Sequence, residues 1–599
     1  MCGIAGYQLA DGATAPPQAL DRFQASILHR GPDAQAHLVI GPTGLVVTRL
    51  AIMDLVHGDQ PLYSQRRSVL IANGEIYNNP ELRARFPDYP FYTGSDCESI
   101  LALYDTYGLD FSDHLRGMYA VAIVDSETGR LVLCRDPFGI KPFYYVEGPD
   151  FFAFASELSP LVEAGFAKRG INDVALAEFL QIKHVCGQKT INPNIKRLDP
   201  GETLVVEGGK IRERRAGKAW PPTVDTHGTK RTRHGGWRPS SDLLKKFENV
   251  MFNSVSVHLR TDAPWRLYYS GGIDSTILML AAREVAVSPP QAITIGYDGE
   301  NDADESSDAL RLARGANVRC ERIEMTGGDF WDLAPRIAAA MDDPIADQAA
   351  LPLYMLGRET RRQAAKVAVC GEGGDEIFGG YSRYQRAALP SFLRRRQGRR
   401  GVFDKSELPS GRFARWSETL DALERTQEKL WPSRMDVLQA MDILERLPNC
   451  LLIKLDRALM ANGVEGRTPF LDREVIAFAD ELPDRFKAVP GQGKRLLRDW
   501  LARTYPESQP YAKKRGFGVP VAKWMHARKD ELGRLVSAQP GVAHSMGADA
   551  VGQIFDRCLT HDQPAWSLLF YALWHSHHIL GLNCDGDIAA VLTDASRGG

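Results

Sequence analysis

Between Gly208 and Ser241 the chain loses its hydrophobic periodicity. The stretch is rich in Gly, Pro, Lys and Arg. Its middle, Gly228-Thr-Lys-Arg-Thr-Arg-His-Gly-Gly236, holds no apolar side chain to anchor it. Such a segment reads as a linker, and the run within it as mobile. It divides 599 residues into two parts, as expected when a domain holds about 100–200 residues. The expected organisation is a domain over 1–207, a linker over 208–241 and a second domain over 242–599.

The two sides differ in pattern. Upstream, residues 45–48, 68–72, 119–124, 131–134, 151–155 and 203–206 are strand-like, bounded by turn signals. Helical patterns there are confined to 18–28, 97–107 and 174–181. This predicts a strand-rich α+β domain. Downstream, helical patterns dominate and alternate with apolar strands at 265–269, 292–295 and 366–370, each closely followed by Gly. That alternation predicts an α/β domain on a parallel sheet, with a helical C-terminal part.

Composition narrows the partners. With 44% apolar and 25% charged residues, the chain is neither disordered, collagenous nor a coiled coil. Lys+Arg number 73 against 75 Asp+Glu, a balance that gives no electrostatic case for nucleic acid or an acidic membrane. The basic run Arg394-Arg-Arg-Gln-Gly-Arg-Arg400 therefore reads as a solvated loop. Nine cysteines are scattered without a CxxC pair, so neither a disulfide framework nor a structural zinc site is expected. The opening Met-Cys-Gly-Ile-Ala-Gly-Tyr lacks the basic and apolar regions of a secretory signal, and a cytoplasmic, reducing setting is expected. The apolar stretch 565–582 contains Ser567, Ser576, His575, His577 and His578. It reads as a buried or amphipathic helix, not a span, with its histidines on a partly exposed face rather than on a metal.

Cys2 directly follows Met1. Removing Met1 would put a thiol and a free α-amine on one residue. An α-amine, with an ordinary pKa of about 7.7–8.0, is partly neutral at physiological pH. It can take the thiol proton and leave the nucleophilic thiolate. Further along stand His29-Arg-Gly-Pro-Asp33, Arg49-Leu-Ala-Ile-Met-Asp54, Asn73-Gly-Glu-Ile-Tyr-Asn78 and Gly94-Ser-Asp-Cys-Glu98. Together with Cys2-Gly-Ile-Ala-Gly6 they resemble the class II glutamine amidotransferase domain, over roughly the first 205 residues. Asp136-Pro-Phe-Gly-Ile-Lys-Pro-Phe-Tyr-Tyr145 and Phe154-Ala-Ser-Glu157 resemble its later motifs. The resemblance implies an N-terminal nucleophile sandwich in which Cys2 attacks the amide of glutamine. It implies that Asn73 and the Gly74 N–H bind the oxyanion, that Arg49 pairs with the α-carboxylate, and that Glu75 and Asp96 hold the α-ammonium. Leu50 and Ile52 complete the implied glutamine contacts.

In the second domain, Ser270-Gly-Gly-Ile-Asp-Ser275 joins a strand to a helix. Two glycines let backbone approach an anion, and the helix start adds N–H donors. No Lys-Ser/Thr follows, so the loop is not a Walker A motif. It resembles the pyrophosphate loop of ATP pyrophosphatases. The resemblance implies an ATP site at Tyr269, Ser270, Gly271, Gly272, Asp274, Ser275, Ile295, Cys370 and Gly371. A second signature, Cys370-Gly-Glu-Gly-Gly-Asp-Glu-Ile-Phe-Gly-Gly-Tyr381, sets Glu372, Asp375 and Glu376 among glycines. Asp274 and Asp375 are the implied Mg²⁺ ligands, since hard carboxylate oxygens suit phosphate-bound Mg²⁺. Glu372 resembles the residue needed for the acyl-adenylate step, and Lys494, in Gly491-Gln-Gly-Lys-Arg-Leu-Leu-Arg498, resembles the lysine that stabilises charge at the reacting centre.

Asp342-Asp-Pro-Ile-Ala-Asp347, Leu455-Asp-Arg457, Val464-Glu-Gly-Arg-Thr-Pro-Phe-Leu-Asp472 and Lys514-Arg-Gly-Phe-Gly-Val-Pro520 extend the likeness. The chain resembles the glutamine-hydrolysing asparagine synthetases along nearly its whole length. The resemblance implies small-molecule partners only: glutamine, ATP with Mg²⁺, and a carboxylate acceptor, aspartate first, amidated through an acyl-AMP by ammonia that travels inside the protein. A homodimer is compatible with it. Four positions depart from the family pattern: Gly466 stands where Ala is usual, Thr468 where Val is usual, Gly374 where Ser is common, and Ser159 where Lys is usual; the 208–241 linker and the 394–400 basic run are also unusual. The same chemistry on a sugar acid, a peptide or a natural-product precursor stays open. A cyclase resembling β-lactam synthetases fits less well, because Cys2, Arg49, Asn73 and Asp96 are all present and a cyclase needs no ammonia. A non-catalytic descendant fits poorly with the intact Glu372, Asp375 and SGGIDS loop.

Overall fold

The computed structural model describes residues 2–217, 238–299, 304–390, 399–403, 415–512, 518–543 and 545–597. The run at 228–236, most of the basic run (394–398) and residues 514–517 of the 514–520 motif lie outside them.

The first half builds two six-stranded antiparallel sheets. One has the order β10 (Lys196–Arg197), β8 (Tyr144–Glu147), β9 (Phe151–Ala155), β1 (Cys2–Leu9), β3 (Thr43–Arg49), β2 (Ala34–Ile40). The other runs β12 (Lys210–Arg215), β11 (Thr203–Glu207), β7 (Arg130–Arg135), β6 (Gly117–Asp125), β5 (Val69–Ile76), β4 (Leu62–Tyr63). The inner strands are apolar on both faces, so they read as apolar runs rather than alternations. In β5, Val69 and Ile71 enter the core between the sheets with Ile4, Val47 and Phe154. Leu70 and Ala72 point the other way, onto Ile100 and Leu103 of the helix Glu98–Tyr107. Ala5, Tyr7 and Val46 likewise meet Phe23 and Ile27 of the helix Ala19–Ile27. The result is a layered helix–sheet–sheet–helix α+β sandwich.

Composition assigned 208–241 to a linker, but its first residues form β12, an edge strand hydrogen-bonded to β11. Its sequence, Lys-Ile-Arg-Glu-Arg-Arg, is charged because one face of an edge strand meets water.

The second half is built on a five-stranded parallel sheet of order β15 (Arg319–Met325), β14 (Gln291–Tyr297), β13 (Trp265–Tyr268), β16 (Val367–Val369), β17 (Glu465–Arg467). The chain moves outward from β13 to β15, then returns to the other side of β13 as β16. Open α/β sheets bind ligands at the carboxyl ends of the strands where the order reverses. The loops at that point are 269–275 and 370–381. Helices complete the second half. The helix Asp562–His578 is nearly enclosed, with Trp566, Phe570, Tyr571 and Trp574 all buried. His577 and His578 are half-buried, as a partly exposed face implies, and the expectation is corrected at His575 alone. His575 is buried against Gly541, where a Cβ would fall 2.6 Å from the ring, and burial pushes His578 down to about 3. The basic run is corrected at its described end, where Arg399 ion-pairs with Asp421 and Glu424 instead of projecting into water. Among the described residues, no helix is long and apolar enough to cross a membrane.

Buried ion pairs join the halves. Fully buried Arg30 binds Glu157 at 2.6 Å and Asp456 at 2.8 Å. Arg457 binds Glu157 at 2.9 Å and Asp342 at 3.0 Å. Arg116 meets Asp472 at 2.9 Å. Against burial, the Arg457 and Arg30 cations and the contact with His29 hold Glu157 well below the usual carboxylate range. Several motifs that read as functional thus hold the two halves together. Deleting one partner of such a pair strands a buried charge, at a cost of about 3–5 kcal/mol.

Candidate functional site

The first site lies at the start of β1. The β1–β3 register sets Cys2 opposite Arg49, and Asn73 reaches Cys2 from β5. The Cys2 backbone N–H donates to Asn73 Oδ1 at 3.2 Å. With Oδ1 engaged, Asn73 Nδ2 is left buried with no hydrogen-bond partner. An orphaned buried donor costs about 1–3 kcal/mol and calls for an explanation. At Gly74 a Cβ would fall 2.4 Å from Met118 O, so no side chain fits. Burial pushes the Cys2 thiol up, and the Leu50 backbone N–H partly offsets this.

Arg49 is tied to its own loop. It donates to Asp59 Oδ1 at 2.8 Å and to the carbonyls of Met53 and Asp54 at 3.0 and 2.6 Å. Asp96 accepts from the Ile76 N–H at 2.5 Å. Glu75 faces the other half of the chain, 3.1 Å from Arg467. Burial and the like charge of Asp96 push Glu75 well above its ordinary range. The side chains of Leu50 and Ile52 pack with Val367 and Met460 of the second half. Any contact these two make with a ligand at Cys2 therefore falls to their backbone.

The second site lies at the sheet's switch point. Gly271 holds φ +75°, a left-handed conformation that glycine adopts without strain. Gly272 precedes the helix Ile273–Val285 without a side-chain cap, so the first-turn N–H groups face the loop. Ser270 and Ser275 hydroxyls bond each other at 3.2 Å and brace it. Tyr269 and Ile295 are core residues beneath it, with the Tyr269 N–H on Ile293 O at 2.9 Å. The second loop closes on the first. A Cβ at Gly371 would touch Asp274 Cβ at 3.4 Å, and one at Gly374 would fall 2.6 Å from Asp274 Cγ. Cys370 is buried, its N–H bonded to Arg467 O at 2.8 Å.

Lys494 completes this site. Its ammonium lies 2.5 Å from Asp274 Oδ2 and 2.6 Å from Asp375 Oδ1, and its backbone is left-handed at φ 54°. A non-glycine residue in that region stores about 1–3 kcal/mol of strain, a cost found at functional sites. Burial raises Glu372, against the pull of the Lys454 cation. Lys454 is paired with Asp347 at 2.8 Å. Burial also pushes Glu376 up to about 7, while Tyr381 donates to it at 2.5 Å.

The asparagine synthase family model matches residues 246–576, and that of the glutamine amidotransferase domain matches residues 1–216. The chain belongs to the asparagine synthase family. It is 30% identical to asparagine synthetase (glutamine-hydrolyzing) 1 of Bacillus subtilis strain 168, over 97% of each chain. It is 31% identical to a putative asparagine synthetase (glutamine-hydrolyzing) of Mycobacterium tuberculosis H37Rv, over 96% of this chain and 97% of the relative. Asparagine synthetase B (glutamine-hydrolyzing) of Escherichia coli K12 is 28% identical, over 90% of this chain and 86% of its own length. As a member of the asparagine synthase family the protein is a carbon–nitrogen ligase that uses ATP and takes its nitrogen from glutamine.

Gln60 was not legible in the sequence. Its amide approaches Cys2 Sγ at 3.6 Å, fixed by the Ala72 N–H at 2.6 Å and the Ala72 carbonyl at 3.1 Å. No motif surrounds it. Arg467 was quoted only as part of a motif, and its reach to Glu75 across the two halves had no signal in sequence.

Proposed function

We propose that the enzyme makes asparagine from aspartate in two half-reactions. In the first, Cys2 Sγ attacks the side-chain carbon of glutamine, forms a thioester and releases ammonia; water then frees glutamate. The observation that carries this reading is the orphaned Asn73 Nδ2, a donor held ready beside Cys2 for the negative oxygen of the tetrahedral intermediate. The Gly74 N–H is the second donor. Because burial pushes the thiol up, the thiolate needs a base, and the α-amine freed by removal of Met1 supplies it. That amine takes the thiol proton and returns it to the leaving nitrogen. Arg49 takes the substrate α-carboxylate, and Glu75 and Asp96 take its ammonium. Leu50 and Ile52 contact glutamine through their backbone.

In the second, a carboxylate oxygen of aspartate attacks the α-phosphorus of ATP. Pyrophosphate leaves, ammonia attacks the acyl carbon, and AMP leaves. The first-turn N–H groups of the helix Ile273–Val285 cradle pyrophosphate, with Tyr269, Ile295, Cys370 and Gly371 forming the rest of the nucleotide site. Lys494 offsets the charge that develops on the phosphates. Asp274 and Asp375 converge on one cationic group, and the same pair of hard oxygens suits Mg²⁺, which when bound neutralises phosphate charge. Glu372, raised by burial, accepts a proton from the attacking nitrogen. The apolar cluster of Leu50, Ile52, Val367 and Met460 supports passage of neutral ammonia between the sites. A reducing cytoplasmic setting suits nine free thiols.

The acceptor is the open term. At Gly374 a Cβ would fall against Asp274, so this departure from the family pattern touches the adenylation loop itself. The test is pyrophosphate release from Mg-ATP and glutamine, measured with aspartate and with a panel of other carboxylic acids. Turnover with aspartate supports asparagine synthesis. Silence with aspartate and turnover with another acid transfers the same chemistry to that acid.

A further inference from the structure

A separate cluster lies at the seam between the halves. His184 and Cys186 follow the helix Asp173–Ile182, while Glu445 and Cys450 sit on the π-helix Asp442–Leu451. One ligand atom from each of His184, Cys186 and Glu445 lies within 4.8 Å of the others, all three side chains being buried. His184 Nε2 stands 3.2 and 3.4 Å from the two Glu445 oxygens. Cys450 is buried five residues after Glu445 on the same helix. His184 Nδ1 is already 3.0 Å from Ile182 O. With Nδ1–H donated there, Nε2 is the nitrogen a metal would take, on losing the proton it shares with Glu445.

We propose that His184, Cys186 and Glu445, joined by Cys450 from the same π-helix as the fourth ligand, form a structural zinc site that clamps the first half of the chain to the second. The donor set of two sulfurs, one imidazole and one carboxylate favours Zn²⁺ over Mg²⁺ or Ca²⁺. Zn–N and Zn–O bonds of about 2.0–2.2 Å at a tetrahedral angle put N and O about 3.4 Å apart. The His184–Glu445 separations match that edge. A central cation would serve the three converging buried ligand atoms of His184, Cys186 and Glu445 at once.

Local structure holds the ligands in place. In an α-helix, at about 3.6 residues per turn, side chains five apart diverge by about 140°. The wider π-turn brings Glu445 and Cys450 round to one face. On the other side, Arg197 binds the carbonyls of Val185 and Gly187 at 2.8 and 3.0 Å, and the Cys186 N–H is held by Glu178 at 3.0 Å. Binding would displace both thiol protons to solvent, with no change of oxidation state. The site then carries one net negative charge, faced by Arg446 and Arg197. The sequence expectation of no structural zinc rested on scattered cysteines without CxxC, a pattern that does not reach a site whose ligands would come from two domains.

The test is metal analysis of the purified full-length protein after gel filtration, together with Co²⁺ uptake after chelation. The expected result is about one zinc per chain, as in closed structural sites. Co²⁺ should give a thiolate-to-metal absorption band, and chelator should lower Tm by several degrees in the wild type alone. Cys186→Ser and Glu445→Gln should lose the zinc and the Tm response, while Cys584→Ser keeps both. Should the variants fail to fold, the wild-type Co²⁺ titration decides. Absence of zinc and of the cobalt band in folded wild type, or zinc unchanged in Cys186→Ser, overturns the proposal and leaves a buried His184–Glu445 ion pair.

Discussion

Arg467, on the strand beside the CGEGG loop, reaches across the molecule to within 3.1 Å of Glu75, two residues from Asn73 at the nucleophile. The same guanidinium bonds Glu465 at 2.6 Å and the carbonyls of His258 and Arg260 at 2.7 Å each. Against burial, the α-amino terminus, Arg467 and Lys141 hold Glu465 down at about 2. One side chain thus joins the wall of the glutamine site to the sheet that presents the ATP loops.

Replacing that guanidinium should uncouple the halves. Arg467→Met strands two buried carboxylates and should cost about 3–5 kcal/mol, read as a lower urea midpoint. In the folded fraction, glutamate production should exceed amide product, whereas tight coupling in the parent enzyme should keep the ratio near one. A stable variant with an unchanged ratio would assign Arg467 to neither job.

At the nucleophile, Asn73→Ala removes the open donor. Glutamine-dependent turnover should fall by about 10²–10³, the usual loss for one oxyanion donor, with the ammonia-dependent reaction retained. Cys2→Ala should abolish the glutamine reaction and likewise spare the ammonia one. Loss of both activities in either variant contradicts two separable sites.

Much of this was readable beforehand because the strands of the first half are buried on both faces and announce themselves as apolar runs. Of the missed strands, β1 and β8 are also buried, but Gly3, Gly6 and Gln8 interrupt the first and the second is only four residues long. β2 alternates half-buried and exposed positions, β15 carries charges at a sheet edge, and β17 is the buried Glu-Gly-Arg, whose charges satisfy each other. The two loops of the proposed ATP site were visible through glycine spacing. Gln60, the Arg467–Glu75 pair and the His184 cluster were not, because each depends on which distant segments the fold presses together.

Lys494→Met leaves Asp274 and Asp375 facing each other without their cation. Pyrophosphate release should drop by at least about 10², in line with the loss of a preorganised charge at the reacting centre. Glutaminase activity measured as glutamate formation should persist. Pyrophosphate release at the parent rate would remove Lys494 from the chemistry.

Acid should loosen the molecule through His258. Its Nδ1 donates to Ser254 O at 2.8 Å and its ring lies 4.1 Å from that of Tyr77, across the two halves. Burial pushes it down to about 3, helped by the nearby Arg467 and Arg116 cations. Below its ordinary value of about 6.5 the unfolded chain binds a proton that the folded chain refuses. Stability is therefore intact above that value and is lost as pH falls towards 3, at up to about 1.4 kcal/mol per pH unit for one proton. His258→Phe keeps the ring contact and removes the titration. Urea midpoints between pH 6.5 and 5 should decline less steeply in the variant than in the parent. Parallel slopes would mean that His258 already carries its proton in the folded state, which its enclosed position beside two arginines argues against.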